Sequence, residues 1–298
     1  MEFSTTNTVD RNEFFRLKFR TLQMGQQPSR CCSTSSLVEW EVADHEVTRR
    51  SMNYRKRLEK TWKDLGFREI VSDIQQFYLV LDVKMRKLLV EKDCELILKF
   101  FQEAYDNNDA RPITTAYTSG TKFYEIVNTD LAKMVSTDNL RDIGMSLDAP
   151  QDRCYWEGSL DIACIFVNHP QFDCDKIREE MTVFRGIVVS KEILKKYLPG
   201  TRVMNKTFLS TSKLRRVAEF FINTSPDTFS CLFIITLVPS ERRTAIDIEK
   251  LSIFSDEHEV LILPYATFVV QDVEVDTSPS MKRCTIKLRE YHDVIDID

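Results

Sequence analysis

Apolar residues recur with a different period in each half of the chain. Between about residues 60 and 170 the period is helical: apolar residues at 94, 97, 98, 101, 104 and 105 mark one helix, and 123–134 and 160–167 mark two more. From about residue 181 the pattern becomes one of short β-rich runs, at 181–188, 231–238, 245–248, 260–263, 267–275 and 282–290. Two short helices, at 191–197 and 213–222, are predicted between these strands. Helices first and strands later predict an α+β fold instead of alternating α/β units.

The pattern also divides the chain into regions. Residues 1–60 are polar and irregular, and their basic run at 49–57 is interpreted as a solvated flank that leads into a helix, so we predict a flexible extension here. Residues 61–298 are predicted to form one domain, with a helical part at 61–175 and a β-rich part at 176–298.

Composition narrows the class of protein. Hydrophobic residues make up 43% of the 298 residues, which is enough for a substantial core. The net charge of −5 argues against a broad nucleic-acid-binding surface. No apolar run approaches the roughly 20 residues of a membrane span. The first residues lack the pattern of a secretory signal, so we expect a cytoplasmic protein.

Several common site patterns are missing from the sequence. The eight cysteines contain no Cys-x-x-Cys, so we expect no metal site, and because no secretory signal is recognised we expect reduced thiols. The seven glycines form no Gly-x-Gly-x-x-Gly and no Gly-Lys-Ser/Thr, which excludes a Rossmann or P-loop nucleotide site.

Two carboxylates precede the apolar run at 260–263. Glu257 and Glu259 are two residues apart, and a strand that begins at or just before Glu257 would place both on one face. His258, between them, would point away and is interpreted as incidental. Such a pair suits a reaction that passes through a sugar-like cation, because one carboxylate stabilises positive charge while the other moves a proton.

Two further motifs lie upstream of this pair. Arg185 stands inside an apolar strand, where its planar fork suits phosphate or carboxylate, although it could equally be a structural arginine paired with a core acid. Gly186 would let a flat ligand approach the backbone. The Ser210-Thr211-Ser212 triplet follows a strand-like run, and Ser212 alone could be the cap of the next helix.

The order of these three motifs resembles the signature of the mono-ADP-ribosyltransferases of the arginine–serine–glutamate class: Arg185, then Ser210-Thr211-Ser212, then Glu257-His258-Glu259. The resemblance covers roughly 70–298 and is most specific over 181–270. It implies a helical subdomain followed by a split β-sandwich that binds NAD. It also implies transfer of ADP-ribose from NAD, as co-substrate and without a metal, to an arginine of a protein acceptor, with release of nicotinamide.

The resemblance also implies how NAD is held. Arg185 would contact the NAD phosphate, and the backbone of Gly186 would hold the nicotinamide amide. Ser210 would contact the nicotinamide ribose and orient the catalytic acid. Tyr117, from a segment that resembles the helical part of the family, would line the adenosine side.

The two acids would have different roles. Glu259 would bind the ribose 2′-hydroxyl and stabilise the oxocarbenium-like transition state, and Glu257 would engage the acceptor and remove its proton. A glutamate at the first position accompanies arginine acceptors in this family, whereas glutamine accompanies other acceptors or hydrolysis. NAD glycohydrolase activity and a non-catalytic interaction module that retains the fold stay open as alternatives. A retaining glycosidase would also use two carboxylates but gives no reason for the arginine and serine motifs.

Overall fold

The helices of the first half bury the stripes that their periodicity predicts. The computed structural model describes residues 39–43, 46–84, 87–141, 157–222, 228–278 and 281–292. Its helices are α1 (Glu46–Leu65), α2 (Phe67–Asp73), α3 (Glu91–Asn107), α4 (Arg111–Tyr117), α5 (Phe123–Arg141), α6 (Glu157–Asn168), α7 (Lys191–Leu194) and α8 (Arg215–Phe220), with a π-helical segment at Ile74–Lys84. Helix α3, for example, buries Cys94, Ile97, Phe101 and Ala104, and ends where Asn108 adopts the left-handed conformation of a C-terminal cap.

The described residues contain nine strands. They are β1 (Trp40–Ala43), β2 (Met181–Ser190), β3 (Arg202–Asn205), β4 (Leu209–Ser212), β5 (Thr228–Leu237), β6 (Ala245–Asp247), β7 (Glu259–Ile262), β8 (Thr267–Ser278) and β9 (Met281–Glu290). The six predicted β-rich runs all coincide with strands. Strands β1 and β3 were not predicted, and β4 was expected only as a strand-like run before the triplet at 210–212. Apart from β1, the long helices precede the strands, and the fold is α+β.

The strands form a continuous sheet in the order β1-β3-β8-β9-β5-β2-β4-β7-β6. Among these described strands only β5 and β9 are parallel neighbours; the other pairs are antiparallel. Strands β2 and β5 share ten residue pairs, whereas β2 and β4 are joined by the single pair Phe184↔Ser212. We call this pair the seam. It divides the sheet into a six-stranded part, ending at β2, and a three-stranded part, β4-β7-β6.

Two hydrophobic clusters fix the layers. The sandwich core lies between the two parts of the sheet, where Phe233 of β5 and Leu288 of β9 share a cluster with Val260 and Ile262 of β7. The helical core covers the opposite face of the three-stranded part and includes Leu261 together with residues of α1 to α6. The three-stranded part is therefore packed on both faces, by helices on one side and by the larger sheet on the other.

The predicted extension is shorter than expected. Strand β1 pairs with β3, and α1 buries Val47 and Leu58 in the folded unit. Residues 39–43 and 46–60 thus contribute to the fold, because the run at 49–57 occupies an amphipathic helix whose apolar residues reach the core. Residues 1–38 of the predicted extension lie outside the described part of the chain.

One expectation about the cysteines is wrong. Cys231 of β5 and Cys284 of β9 are register partners and form a disulfide in the sandwich core. Cys94, Cys164 and Cys174 are free thiols, as predicted. Among the described helices we find no candidate for a membrane span.

Candidate active site

Three neighbouring strands at the seam carry the predicted site residues. Arg185 is on β2, Ser210 on β4 and Glu259 at the start of β7. Ser212 is the register partner of Glu259, and Ser210 is the partner of Leu261. Residues i and i+2 of a strand share a face, so Ser210 and Glu259 lie on the same face as Leu261, which is the face covered by the helices. The fold thus brings together residues that are far apart in the sequence.

Arg185 is held by contacts on both sides of the seam. Its Nη1 donates to the carbonyl oxygen of Ser210 at 2.7 Å, and its Nη2 forms an ion pair with Oε1 of Glu39 at 2.6 Å. The side chains of Arg185 and Glu39 are 19% and 21% exposed, so this ion pair is only partly buried. The Nε of Arg185 has no hydrogen-bond partner among the described residues and is itself buried. Arg185 thus connects β4 with the residue that precedes β1, while part of its side chain reaches the surface.

Gly186 packs so closely against α8 and the residues that follow it that no side chain fits at this position. A Cβ atom at this position would lie 1.9 Å from the carbonyl oxygen of Ala218 and 2.8 Å from Cγ1 of Ile222. The side of β2 that the glycine leaves open is filled by α8. The interpretation that the missing side chain admits a ligand is therefore wrong for this side of the strand.

The two glutamates do not share a strand, which corrects the expectation of one face. A short 3-10 turn ends at Glu257, His258 adopts the left-handed conformation with φ 46°, and β7 begins at Glu259. Both carboxylates are nonetheless largely buried, with Glu257 8% and Glu259 5% exposed. A histidine at positive φ is uncommon, and such positions occur preferentially at functional sites.

A polar network holds this turn, and His258 is part of it instead of being incidental. Its Nδ1 lies 3.0 Å from Oε1 of Glu249, and its carbonyl oxygen accepts from the backbone nitrogen of Lys213 at 3.0 Å. The Nζ of Lys213 also binds Oε2 of Glu249 at 2.8 Å. This hydrogen bond holds the pKa of the Glu249 carboxyl below its usual value. The turn between the two glutamates is therefore fixed by charged contacts.

Two serines act directly on the acidic turn. Ser212 donates to the carbonyl oxygen of Glu257 at 2.7 Å and accepts from the backbone nitrogen of Leu214 at 3.0 Å. Helix α8 has Leu214 as its N-cap residue, so the hydroxyl of Ser212 ties two loops together instead of capping the helix. Ser252 donates to Oε2 of Glu259 at 3.2 Å and so orients the carboxylate. In this structure that contact comes from Ser252, a residue that the sequence analysis did not consider.

Tyr117 lies at the junction between helices and strands. It ends α4, and its ring packs 5.1 Å from that of Phe208, just before β4. Asn128 donates to the Tyr117 hydroxyl at 3.1 Å and accepts from the backbone nitrogen of Phe208 at 3.2 Å. Burial raises the pKa of Tyr117; the charge of Glu259 raises it further, and that of Arg185 opposes this. Both charges therefore act on one tyrosine in the helical half.

Three contributors to this site were missed in the sequence. Glu39 and Ser252 carry no local signal, because each meets its partner only in the folded chain. Asn128 falls within the helical segment that resembles the family, but it meets Tyr117 from a different helix, because α4 ends at Tyr117 and α5 begins at Phe123. Among the described residues no cluster of histidine, cysteine or acidic side chains could hold a metal ion.

Comparisons with known proteins bear on this arrangement. Residues 168–295 match the family model "NAD:arginine ADP-ribosyltransferase", an interval that includes Arg185, Ser210, Glu257 and Glu259. No curated protein sequence matches the chain significantly.

Several solved structures are similar to the chain. They include the ADP-ribosyltransferase HopU1 of Pseudomonas syringae pv. Tomato DC3000, with 17% identity over 54% of this chain and 66% of that one, at a TM-score of 0.37. The Vis toxin from Vibrio splendidus matches with 18% identity over 84% of this chain and 87% of its own, at a TM-score of 0.35. An ADP-ribosyltransferase from Clostridium botulinum matches with 14% identity over 67% of this chain and 96% of its own, at a TM-score of 0.41. Residues 168–295 of the chain, which carry the candidate site, are thus similar in sequence to the NAD:arginine ADP-ribosyltransferase family.

Proposed function

We propose that this ADP-ribosyltransferase transfers ADP-ribose from NAD to an arginine side chain of a protein acceptor and releases nicotinamide. The observation that carries the proposal is the meeting of Arg185, Ser210 and Glu259 on adjacent strands, inside the interval that matches the family. We propose that residues 39–60 belong to the catalytic domain together with residues 61–298, because β1 supplies the ion-pair partner of Arg185 from its edge.

The residues fit a dinucleotide ligand. Arg185 offers a guanidinium whose side chain is 19% exposed, and an arginine fork binds phosphate oxygens well. In our proposal Arg185 binds the NAD phosphates, the backbone of Gly186 binds the nicotinamide amide and Ser210 binds the adjoining ribose. Tyr117 lines the adenosine side. The acids of the site then face the bond that breaks.

Glu259 has the surroundings that electrostatic stabilisation needs. Departure of nicotinamide leaves positive charge on the ribose. The Glu259 carboxylate is 5% exposed and is oriented by the hydroxyl of Ser252, so it meets this charge without reorganising. Removal of one such preorganised group typically costs on the order of a hundredfold or more in turnover.

Glu257 is proposed to act on the acceptor. A guanidinium has a pKa above about 12 and is protonated at neutral pH, so it is a poor nucleophile until a base takes its proton. The backbone of Glu257 is fixed by Ser212, and the following residue is held by Lys213. Glu257 thus lies at the end of the 3-10 turn, outside the strand that carries Glu259. In our proposal Glu257 acts on the acceptor, and Glu259 stabilises the ribose.

The test compares Glu259→Gln with Glu257→Gln. Nicotinamide release from NAD is measured with and without an arginine-bearing protein, and modified residues are mapped by mass spectrometry. We expect Glu259→Gln to lose both hydrolysis and transfer by about a hundredfold or more. Glu257→Gln is expected to lose transfer while it keeps most of the hydrolysis.

Each part of the proposal has a contrary outcome. Equal loss of both reactions in the two variants would contradict the division of roles. Nicotinamide release that no acceptor changes, without adducts on protein, would identify an NAD glycohydrolase. Binding of NAD without turnover in the unmodified chain would identify an interaction module.

A further inference from the structure

A cavity with several basic and hydroxyl side chains in its walls lies away from the seam. It has a volume of about 220 Å³ and is bounded by α1, by residues 240–244 and by the two residues that follow β9. Its walls include Thr48, Arg55, Ser240, Arg242 and His292. None of the predicted site residues lines it, and Tyr265, which does, follows the far end of β7 from Glu259. The cavity is therefore separate from the proposed active site.

The most informative residue of this cavity is Arg55. Its side chain is buried, with 6% of the residue exposed. The Nε donates to the carbonyl oxygen of Tyr265 at 3.2 Å, and Nη1 donates to that of Arg243 at 3.4 Å. The Nη2 has no hydrogen-bond partner within the described structure. Two long bonds to neutral carbonyls leave a buried cation only partly satisfied.

The described surroundings do not supply a matching anion. Burial lowers the pKa of Arg55 to about 10; the charges of Glu290 and Glu59 oppose this, and the charge of Arg242 adds to it. In the part of the chain that the structure describes, Glu290 forms no ion pair with Arg55; its Oε2 accepts from the backbone nitrogen of Val238 at 2.9 Å, and its Oε1 lies 3.7 Å from Nε2 of His292. A buried guanidinium without a hydrogen-bonded anion is unfavourable, because the lost hydration is not replaced.

The other residues that line the cavity favour a negatively charged ligand. Arg242 and His292 add basic groups to the walls, and Glu241 is the one acidic residue among the lining residues that the structure describes. The hydroxyls of Thr48 and Ser240 already accept from Arg202 and from the backbone nitrogen of Arg242, so each has its proton left to donate. The volume is well beyond the roughly 10–15 Å³ that one water molecule needs, so a polyatomic anion fits.

We propose that this cavity is a binding site for a small oxyanion of the phosphate class, held from within by Arg55 and at its rim by Arg242. A phosphate accepts hydrogen bonds from two guanidinium groups and from hydroxyls at the same time, which matches donors that arrive from α1 and from residues 240–242. The proposal is independent of the reaction at the seam.

The test uses the intact chain. Inorganic phosphate, phosphoserine and acetate are titrated separately by calorimetry at constant ionic strength, and the melting temperature is followed in parallel. We expect saturable binding of one equivalent of phosphate or phosphoserine, with acetate at least tenfold weaker, and a melting temperature that rises with the ligand. The tighter of the two phosphates shows whether the site takes free or esterified phosphate.

Variants connect the binding to named residues. Arg242→Gln, at an exposed position, is expected to fold normally and to weaken phosphate binding at least fivefold. Arg55→Lys keeps the charge but loses the fork and is expected to weaken it more than tenfold. Arg68→Gln, exposed on α2, is the matched control and should bind as the unmodified chain does. If Arg55→Lys does not fold, Arg242→Gln decides the question.

Three results would overturn the proposal. The first is the absence of saturable phosphate binding, which would show that the cavity holds no such anion. The second is binding that is unchanged in Arg242→Gln and in Arg55→Lys, which would place the anion elsewhere. The third is acetate that binds as tightly as phosphate, which would refute the class of ligand.

Discussion

Replacement of Gly186 by alanine separates two explanations for the glycine beside Arg185. If the glycine admits a ligand, the added methyl group blocks NAD and leaves stability unchanged. If the glycine is required by packing, the methyl group collides with α8 and destabilises the fold. The distances favour the second explanation, because the new Cβ would lie 1.9 Å from the carbonyl oxygen of Ala218 and 2.9 Å from its carbonyl carbon.

The magnitude follows from these distances. Non-bonded heavy atoms prefer separations of roughly 3.5 Å, so β2 and α8 must separate by about 1.5 Å or distort. Both neighbours are backbone, which cannot rotate away as a side chain would. Overpacking of this kind costs about 1–3 kcal/mol, and we expect the upper end, about 3 kcal/mol. For a domain of this size that corresponds to a fall in melting temperature of about 6–12 °C.

The assay measures the melting temperature and the KM for NAD of Gly186→Ala beside a matched control. Gly66 has φ 75° and ψ 172° and nothing within 4 Å of its added Cβ, so Gly66→Ala tests backbone strain alone, at about 1–3 kcal/mol. We expect both variants to melt lower than the unmodified chain, and Gly186→Ala alone to raise the KM, because Arg185 moves with its strand. An unchanged melting temperature together with lost NAD binding would refute the packing explanation and restore the role in ligand approach.

Two further predictions concern single hydrogen-bonded residues. Asn128→Ala leaves the backbone nitrogen of Phe208 and the hydroxyl of Tyr117 without this partner, so the urea midpoint should fall by the equivalent of about 2–4 kcal/mol. The fall should be larger than in Tyr117→Phe, which removes only one of the two bonds. An equal effect of the two variants would contradict the bridging role of Asn128. Burial lowers the pKa of His169, so the unfolded chain binds the additional proton first, and the free energy of unfolding should decrease as the pH falls below about 6.5. His169→Asn retains an acceptor for the nitrogen of Gln171 and should flatten this dependence in urea titrations at pH 5 to 8; an unchanged slope would assign it to other groups.

Periodicity was sufficient for the long elements. Helix α3 and strand β9 follow from the sequence because one face of each meets a core, and the alternation of Cys284, Ile286 and Leu288 with polar residues shows which face that is. The order of the three site motifs was equally readable, since each lies at or beside a strand that the pattern predicts.

Geometry that depends on contacts between distant segments could not be predicted in this way. The strand was expected to include Glu257, but the left-handed conformation of His258 ends the turn one residue later, and that conformation is held by Lys213 and Glu249. Likewise the sequence left open whether Arg185 faces a ligand or pairs with a core acid. Glu39 stands 146 residues away in a region that the pattern assigned to an extension, and only the pairing of β1 with β3 brings it near.

The seam has a mechanical consequence. Since one residue pair joins β2 to β4, the angle between the two parts of the sheet can change with the loss of very few main-chain hydrogen bonds. The distance between Arg185 and Glu259 then depends less on strand pairing than on side-chain contacts, chiefly the hydrogen bond from the Arg185 guanidinium to the carbonyl oxygen of Ser210. If the proposed active site changes its width, we expect the change at this pair, where neighbouring strands share the fewest main-chain contacts.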